Sequence, residues 1–74
     1  MNKDTTDYYI TELEAIADVF DILSESTYRD GCSNPDGREQ VVKSLQSANL
    51  SKAAKHIRQA RRSLEDINNE RYLR

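Results

Sequence analysis

The large apolar residues in the first third of the chain recur at alternating spacings of four and three positions. They are Tyr9, Leu13, Ile16, Phe20 and Leu23. At 100° per residue this spacing gathers them into one stripe, which is typical of an amphipathic helix with one side in a core. The pattern predicts a first helix over about residues 6–27.

A loop is predicted over residues 28–36, because the segment from Tyr28 to Gly37 holds both glycines and the only proline. Pro35 cannot continue a preceding helix, and the residue before it is driven toward an extended conformation. Asp36 and Glu39 have the spacing of a capping box, in which each side chain binds a backbone N–H of the helix start. In the alternative, Asn34 is the cap and Pro35 is the first helical residue.

The apolar positions after the loop form two stripes. The first contains Val41, Val42, Leu45 and Ala48, and the second contains Leu50, Ala53, Ala54, Ile57, Ala60, Leu64 and Ile67. On one straight helix the two stripes would point about 120° apart. A break near residues 47–51 resolves this conflict and predicts a second helix over about 37–47 and a third over about 50–70. A continuous helix that contacts two partners also satisfies the pattern.

The sequence therefore predicts an all-α fold, a three-helix bundle in one domain of 74 residues. We expect the long first and third helices to pack antiparallel, with the short second helix closing one side. The predicted core consists of Tyr9, Leu13, Ile16, Phe20, Leu23, Val42, Leu45, Leu50, Ile57, Ala60, Leu64 and Ile67.

The short length predicts self-association. A chain of this size buries only about 60% of its unfolded surface and is marginally stable alone. The single cysteine, Cys32, cannot form an internal disulfide, and one histidine cannot complete a common zinc site. A one-stripe core would also leave Ile10, Val19, Ile22 and Tyr28 partly exposed, so we expect a homodimer.

Charge is distributed unevenly along the chain. Residues 1–30 carry two basic and eight acidic groups, a net −6, whereas residues 31–74 carry nine basic and five acidic groups, a net +4. The acidic ridge, opposite the first apolar stripe, contains Asp7, Glu14, Asp18, Asp21 and Glu25. The sequence places no basic residue against this ridge within the predicted fold. We therefore expect Glu14, Asp18, Asp21 and Glu25 to bind a basic protein surface, either on another copy or on a nucleic-acid-binding protein.

The third helix has a basic face, which contains Lys52, Lys55, Arg58 and Arg62. A face of this kind can lie along a phosphate backbone, so nucleic-acid binding is the alternative function. The second and third helices would then form a helix-turn-helix with its turn at residues 47–50. The overall pI of about 5.3 and the acidic ridge argue against this alternative.

No arrangement of residues predicts catalysis. Glu14 and Asp18 lie one turn apart but are expected to face water, His56 has no neighbouring nucleophile, and Cys32 has no nearby base. We expect no cofactor and no metal ion. The longest apolar run is too short to span a membrane. The sequence thus predicts a non-enzymatic, cytoplasmic protein-binding regulator or inhibitor.

Overall fold

Two long helices joined by a short turn make up the fold. The computed structural model describes the backbone of residues 3–73 and the side chains of residues 4–69. Within that range α1 spans Lys3–Ser33 and α2 spans Gly37–Leu73, and the two helices run antiparallel. The predicted all-α class is confirmed, but the predicted three-helix bundle is wrong, because the chain forms a helical hairpin.

The turn is shorter than the predicted loop over 28–36, since residues 28–33 continue α1. Gly31 keeps a helical backbone, with no positive φ, so this glycine does not end the helix. The helix ends just before Pro35, where Asn34 N–H donates to Gly31 O at 3.1 Å. Proline restricts the residue before it to non-helical conformations, and this restriction stops α1.

Side-chain caps begin α2. Asp36 Oδ1 accepts from the backbone N–H of Arg38, and Asn34 Oδ1 accepts from the N–H of Asp36, each at 2.9 Å. Gln40 Nε2 then donates to Asn34 O at 2.6 Å. The predicted cap at Asp36 is confirmed, and the side chain that reaches back across the turn is Gln40. These bonds satisfy polar groups that the helix start would otherwise leave unpaired.

The predicted break at residues 47–51 is wrong, because α2 is continuous through them. The first of the two stripes was expected to form the apolar side of a separate helix, yet Val41 and Leu45 lie on the outer surface of α2, about 60% exposed. Ser47 is buried instead and faces α1. Because Val41 and Leu45 need not face α1, the two stripes no longer have to point in the same direction. A single continuous helix therefore satisfies the pattern.

A seam of mostly small or polar residues joins the helices. In α1 it contains Thr6, Ile10, Leu13, Ala17, Phe20, Ser24, Thr27 and Gly31; in α2 it contains Lys43, Ser47, Leu50, Ala54, Ile57, Arg61, Leu64 and Asn68. All are buried or half-buried, and both series alternate steps of four and three, the heptad spacing of coiled coils. Every seventh position from Ala17 to Gly31, and also Ser47 and Ala54, is small. The helices therefore approach closely.

Close approach is clearest in the middle and near the turn. Ser24 Oγ donates to Ser47 O and Ser47 Oγ donates to Ser24 O, both at 2.8 Å. A Cβ added at Gly31 would lie 2.7 Å from the Cβ of Lys43. Each serine thus reaches the backbone of the opposite helix, which larger side chains would prevent.

The predicted core is largely wrong for the single chain. Among the described side chains, the fully buried apolar ones are Ala17 and Ala54. Leu13, Phe20, Leu50, Ile57 and Leu64 are half-buried. The remaining predicted core residues are exposed: Tyr9, Ile16, Leu23, Val42, Leu45, Ala60 and Ile67. The seam residues occupy the positions at which the helices meet, so these side chains lie beside or outside the contact between the helices.

The hairpin is elongated, with dimensions of 59 × 14 × 12 Å and a radius of gyration of 16.9 Å. A compact domain of this length would have a radius of gyration of about 11 Å. Its accessible surface of 5616 Å² also exceeds the roughly 4,700 Å² expected for a folded monomer of this mass. A single hairpin therefore leaves an unusually large share of its surface in water.

The two glycines provide a test of the close approach. Gly37→Ala meets nothing within 4 Å and should raise stability by up to about 1 kcal/mol through helix propensity. Gly31→Ala should lower stability, because an overpacking cost of about 1–3 kcal/mol exceeds the same gain. Thermal unfolding followed by circular dichroism at one protein concentration checks this. Equal stabilisation by both substitutions would contradict the close approach.

Candidate functional site

One broad side of the hairpin is apolar, and we call it the apolar face. It contains Tyr9, Leu13, Ile16, Phe20 and Leu23 of α1 with Leu50, Ala53, Ile57, Ala60, Leu64 and Ile67 of α2. Ile16 is 44% exposed and Leu23 45% exposed, and the seam residues among them are half-buried. All these side chains are uncharged. Ten of the twelve predicted core residues thus lie on this surface, and Val42 and Leu45 do not.

Heptad geometry explains why these residues share one side. Tyr9, Ile16 and Leu23 are seven residues apart and follow the same edge of the seam in α1. Ala53, Ala60 and Ile67 occupy the equivalent edge of α2. In an antiparallel pair these two edges lie side by side, so the hairpin presents them together.

The opposite side of the hairpin carries an ion-pair network centred on Arg58. Its Nη2 lies 2.6 Å from Asp21 Oδ2 and 3.1 Å from Asp18 Oδ1, while its Nε lies 3.8 Å from Glu14 Oε1. The Arg58 side chain is 31% exposed, so water still reaches the network. The network connects three turns of α1 to one residue of α2.

Arg61 extends the network into the seam. Its Nε lies 2.9 Å from Glu14 Oε2, and its Nη1 lies 3.3 Å from Glu65 Oε1. The Nε and Oε2 atoms are both buried, but they form no aligned hydrogen bond, so their contact is purely an ion pair. Further along, Asn68 Nδ2 donates to Asp7 Oδ1 at 2.9 Å. Polar contacts thus continue along this edge toward the helix ends away from the turn.

The network favours the charged form of Arg58. A hydrogen bond to Asp21 raises the pKa of this guanidinium above its ordinary value, and the charges of Asp21 and Glu14 and a bond to Asp18 act in the same direction. Desolvation lowers the pKa but does not outweigh them. Arg58 therefore stays charged at every pH at which the protein is folded.

The expectation that nothing in the fold neutralises the acidic ridge is wrong. Of the four predicted contact residues, Glu14, Asp18 and Asp21 pair with α2. Glu25 contacts only the exposed Arg29, at 4.0 Å, among the described ion pairs. The basic residues were expected on the far side of α2. The heptad register places Arg58 beside the ridge instead.

The predicted basic residues do come together. Lys52, Lys55, Arg58 and Arg62 line one open groove of about 490 Å³, with Asp21 at its edge. Arg58 is held by the ion-pair network, whereas the other three have no ion pair among the described residues. The predicted helix-turn-helix is wrong, because residues 47–50 are helical and provide no turn.

The remaining candidates for chemistry are dispersed. His56 Nδ1 lies 3.3 Å from Gln59 Oε1 on an exposed surface, and Cys32 is an exposed thiol in the last turn of α1. Among the side chains described, no group of three or more His, Cys, Asp or Glu residues could hold a metal ion. Neither helix, over its described length, is long and apolar enough to cross a membrane.

Comparisons with protein family models, curated proteins and solved structures give no match to this chain. The surfaces of the hairpin are therefore what indicates a function.

Sequence reasoning found the residues of the apolar face but placed them in the core. The signal that distinguishes the two was present in the spacing of the small residues. Ala17, Ser24 and Gly31, like Ser47 and Ala54, recur every seventh position. Small residues at this spacing predict close helix contact along their own stripe, which pushes the larger apolar stripe to one side.

The ion-pair network is testable through Arg58→Gln. We expect this substitution to lower the midpoint of thermal unfolding, because Asp18 and Asp21 then lose their cation and Glu14 keeps only Arg61. Lys55→Gln, in the same groove but without an ion pair, is the matched control and should change the midpoint little.

Salt should reduce the difference between these two variants. Raising the ionic strength from about 0.1 M to about 1 M shortens the Debye length from about 10 Å to about 3 Å and weakens repulsion among exposed carboxylates. Calorimetry at both concentrations measures this. An Arg58→Gln variant as stable as Lys55→Gln in low salt would show that the network contributes nothing.

Proposed function

We propose that this chain is a small non-enzymatic protein-binding module that acts as a regulator or inhibitor through its apolar face. The observation that supports this is the exposure of Tyr9, Ile16, Leu23 and Ile67 on one uncharged side of a hairpin. Monomeric proteins rarely leave contiguous apolar patches of this kind in water, and larger ones mark interaction sites.

The composition of the apolar face suits a protein partner. Its centre is aliphatic and aromatic, whereas its rim is polar, with Glu12, Asn49 and His56 along the outer edges. Protein interfaces have this arrangement, in which apolar residues fill the centre and polar residues surround it. A rigid helical scaffold also presents the face without an ordering cost on binding.

The apolar face is a better candidate for the binding surface than the acidic ridge. Glu14, Asp18 and Asp21 already contact Arg58 within the chain, so a basic partner would have to compete with that residue. Contacts already made within a protein add nothing to binding unless the partner improves on them. Among the four acidic residues, Glu25 retains the greatest freedom to bind a cation.

A non-enzymatic role fits the exposure of the titratable groups. Catalytic groups work in clefts where burial and neighbours shift their pKa values, and here the apolar face carries no titratable side chain except Tyr9 at its end. The cytoplasmic location stays a prediction from the sequence.

Photo-crosslinking tests the proposed surface. Leu23 lies on the apolar face and Tyr28 on the opposite edge of the same helix, 45% and 54% exposed. Each is replaced separately by p-benzoylphenylalanine, and the protein is irradiated in a lysate of its source cells. We expect protein crosslinks from position 23 and few from position 28, because a bound partner covers only the apolar face. Equal or absent crosslinking at both positions would refute the proposal.

A second candidate function is nucleic-acid binding, which the basic groove supports. Lys52, Lys55 and Arg62 are exposed around one groove and have no ion pair among the described residues, so their charge is available to phosphates. Such cations bind without a recognition helix, by displacing counterions. The nearby carboxylates of Asp18 and Asp21 weaken this attraction, which places it second.

Titration with mixed-sequence double-stranded DNA tests this second function. If the groove binds phosphates, affinity should fall steeply between about 50 mM and 200 mM salt. Replacing Lys52, Lys55 and Arg62 one at a time by Gln should each reduce the salt slope by about one. Fluorescence anisotropy measures both, with Arg29→Gln, near the turn and outside the groove, as control. Absence of binding at low salt would remove the candidate.

A further inference from the structure

We propose that a second copy of this chain covers the apolar face and forms a four-helix bundle with both turns at the same end. This inference rests on the proposed function, in that it names the occupant of the same surface. It also goes further, since it specifies which helix of one copy lies over which helix of the other.

The accessible surface of the hairpin is large enough to bury a standard protein interface against a second copy. The accessible surface of 5616 Å² exceeds that of a typical folded protein of this mass by roughly 900 Å². Each partner in a standard protein interface buries about 800 Å². One face-to-face contact between two hairpins would therefore bring each chain to an ordinary degree of burial.

The absence of charge on the apolar face allows a copy to pack against itself. In a twofold dimer the same patch meets its own copy, so any charge on the patch would be buried in the contact and would need an opposite charge on the same patch. The face contains no Asp, Glu, Lys or Arg, because the ion pairs are collected on the other side of the hairpin. Face-to-face packing thus buries no like-charged pair.

The two helices contribute side chains of different size to the face. α1 contributes Tyr9, Ile16 and Leu23 along its edge, whereas α2 contributes Ala53, Ala60 and Ile67. The reciprocal serine bonds place Ser24 level with Ser47. Ile16 therefore lies at a height between Ala53 and Ala60, and Leu23 lies at a height between Gln46 and Ala53.

These sizes determine how two hairpins fit. With both turns at the same end, α1 of each copy lies over α2 of the other, so Ile16 faces the space between Ala53 and Ala60. With turns at opposite ends, α1 lies over α1, and Ile16 meets Ile16 while the alanines face one another across a gap. Well-packed cores alternate large and small side chains across facing positions. Both arrangements make every neighbouring pair of helices antiparallel, so the sizes of the facing side chains decide between them.

Molecular mass in solution tests the occupant. At about 50 μM, well above the 1 μM Kd of a moderately tight dimer, analytical ultracentrifugation should give about 17 kDa, twice the 8.5 kDa of one chain. Ile16→Glu should shift the distribution to monomer, whereas Ile22→Glu, on the outer side of α1 and 66% exposed, should not. A monomeric parent protein at this concentration would overturn the proposal.

The single cysteine tests the arrangement without any substitution. Cys32 is exposed at the turn end of α1 and can carry a nitroxide spin label. Turns at the same end place the two labels about 30 Å apart, across the width of a bundle of helices spaced about 10 Å. Turns at opposite ends place them more than about 45 Å apart, because Cys32 lies sixteen residues from Ile16 at 1.5 Å per residue. Pulsed electron paramagnetic resonance measures this distance.

The outcomes separate this inference from the proposed function. A dimer whose spin labels lie about 30 Å apart supports the four-helix bundle with both turns at the same end. A dimer whose labels lie more than about 45 Å apart overturns this arrangement. If the protein is a monomer and position 23 crosslinks only to a different protein, a second copy does not cover the apolar face, but the proposed protein-binding function stands. A monomer without any crosslink refutes both.

Discussion

The close approach of the two helices over small residues is the constraint on which the rest of the structure depends. Ala17 and Ala54 are fully buried, Ser24 and Ser47 bind each other's backbone, and Gly31 leaves no room for a Cβ beside Lys43. Because these small groups let the helices approach closely, the seam has no room for the large apolar residues beside it. Tyr9, Ile16 and Leu23 therefore lie on one flank as part of the apolar face, and Glu14 and Asp21 lie on the other.

Polar contacts within the seam define the register more than they add stability. The reciprocal serine bonds, the partly buried Glu14–Arg61 pair and the Asn68–Asp7 bond each require one alignment of the helices. Taking these polar groups out of water costs free energy, and the contacts between them offset this cost only in the native register. The native register is therefore favoured over a slipped one. A purely apolar seam of alanines would slide more easily by one heptad.

The uneven distribution of charge along the chain has a simple structural consequence. An acidic first half and a basic second half repel within themselves but attract each other, and an antiparallel hairpin brings them side by side. Arg58 and Arg61 contact three of the acidic residues on one flank. Because Arg58 and its carboxylate partners lie on that flank, none of them lies on the apolar face, so the antiparallel register accounts for both the ion pairs and the apolar face.

Much of the local structure followed from the sequence by itself. Period and composition predicted the helices, Pro35 and Asp36 located the turn region and the start of α2, and the spacing of Lys52, Lys55, Arg58 and Arg62 predicted a shared basic face. These features depend on neighbours within a few positions of one another. The physical reason is that helix periodicity, capping and proline geometry act over one or two turns.

Only the tertiary structure decided which stripe of each helix meets the other. Hydrophobicity identified the residues that avoid water, including Ile16 and Leu23, but it did not specify what would cover them. A stripe of Ala17, Ser24 and Gly31 has little hydrophobicity and so carried a weak signal, although its small size is what permits the closest contact. Whether Arg58 reaches Asp21, thirty-seven positions away, depends on the antiparallel register of the whole hairpin. Long-range pairing of this kind is determined by packing between helices, which no local pattern in the sequence contains.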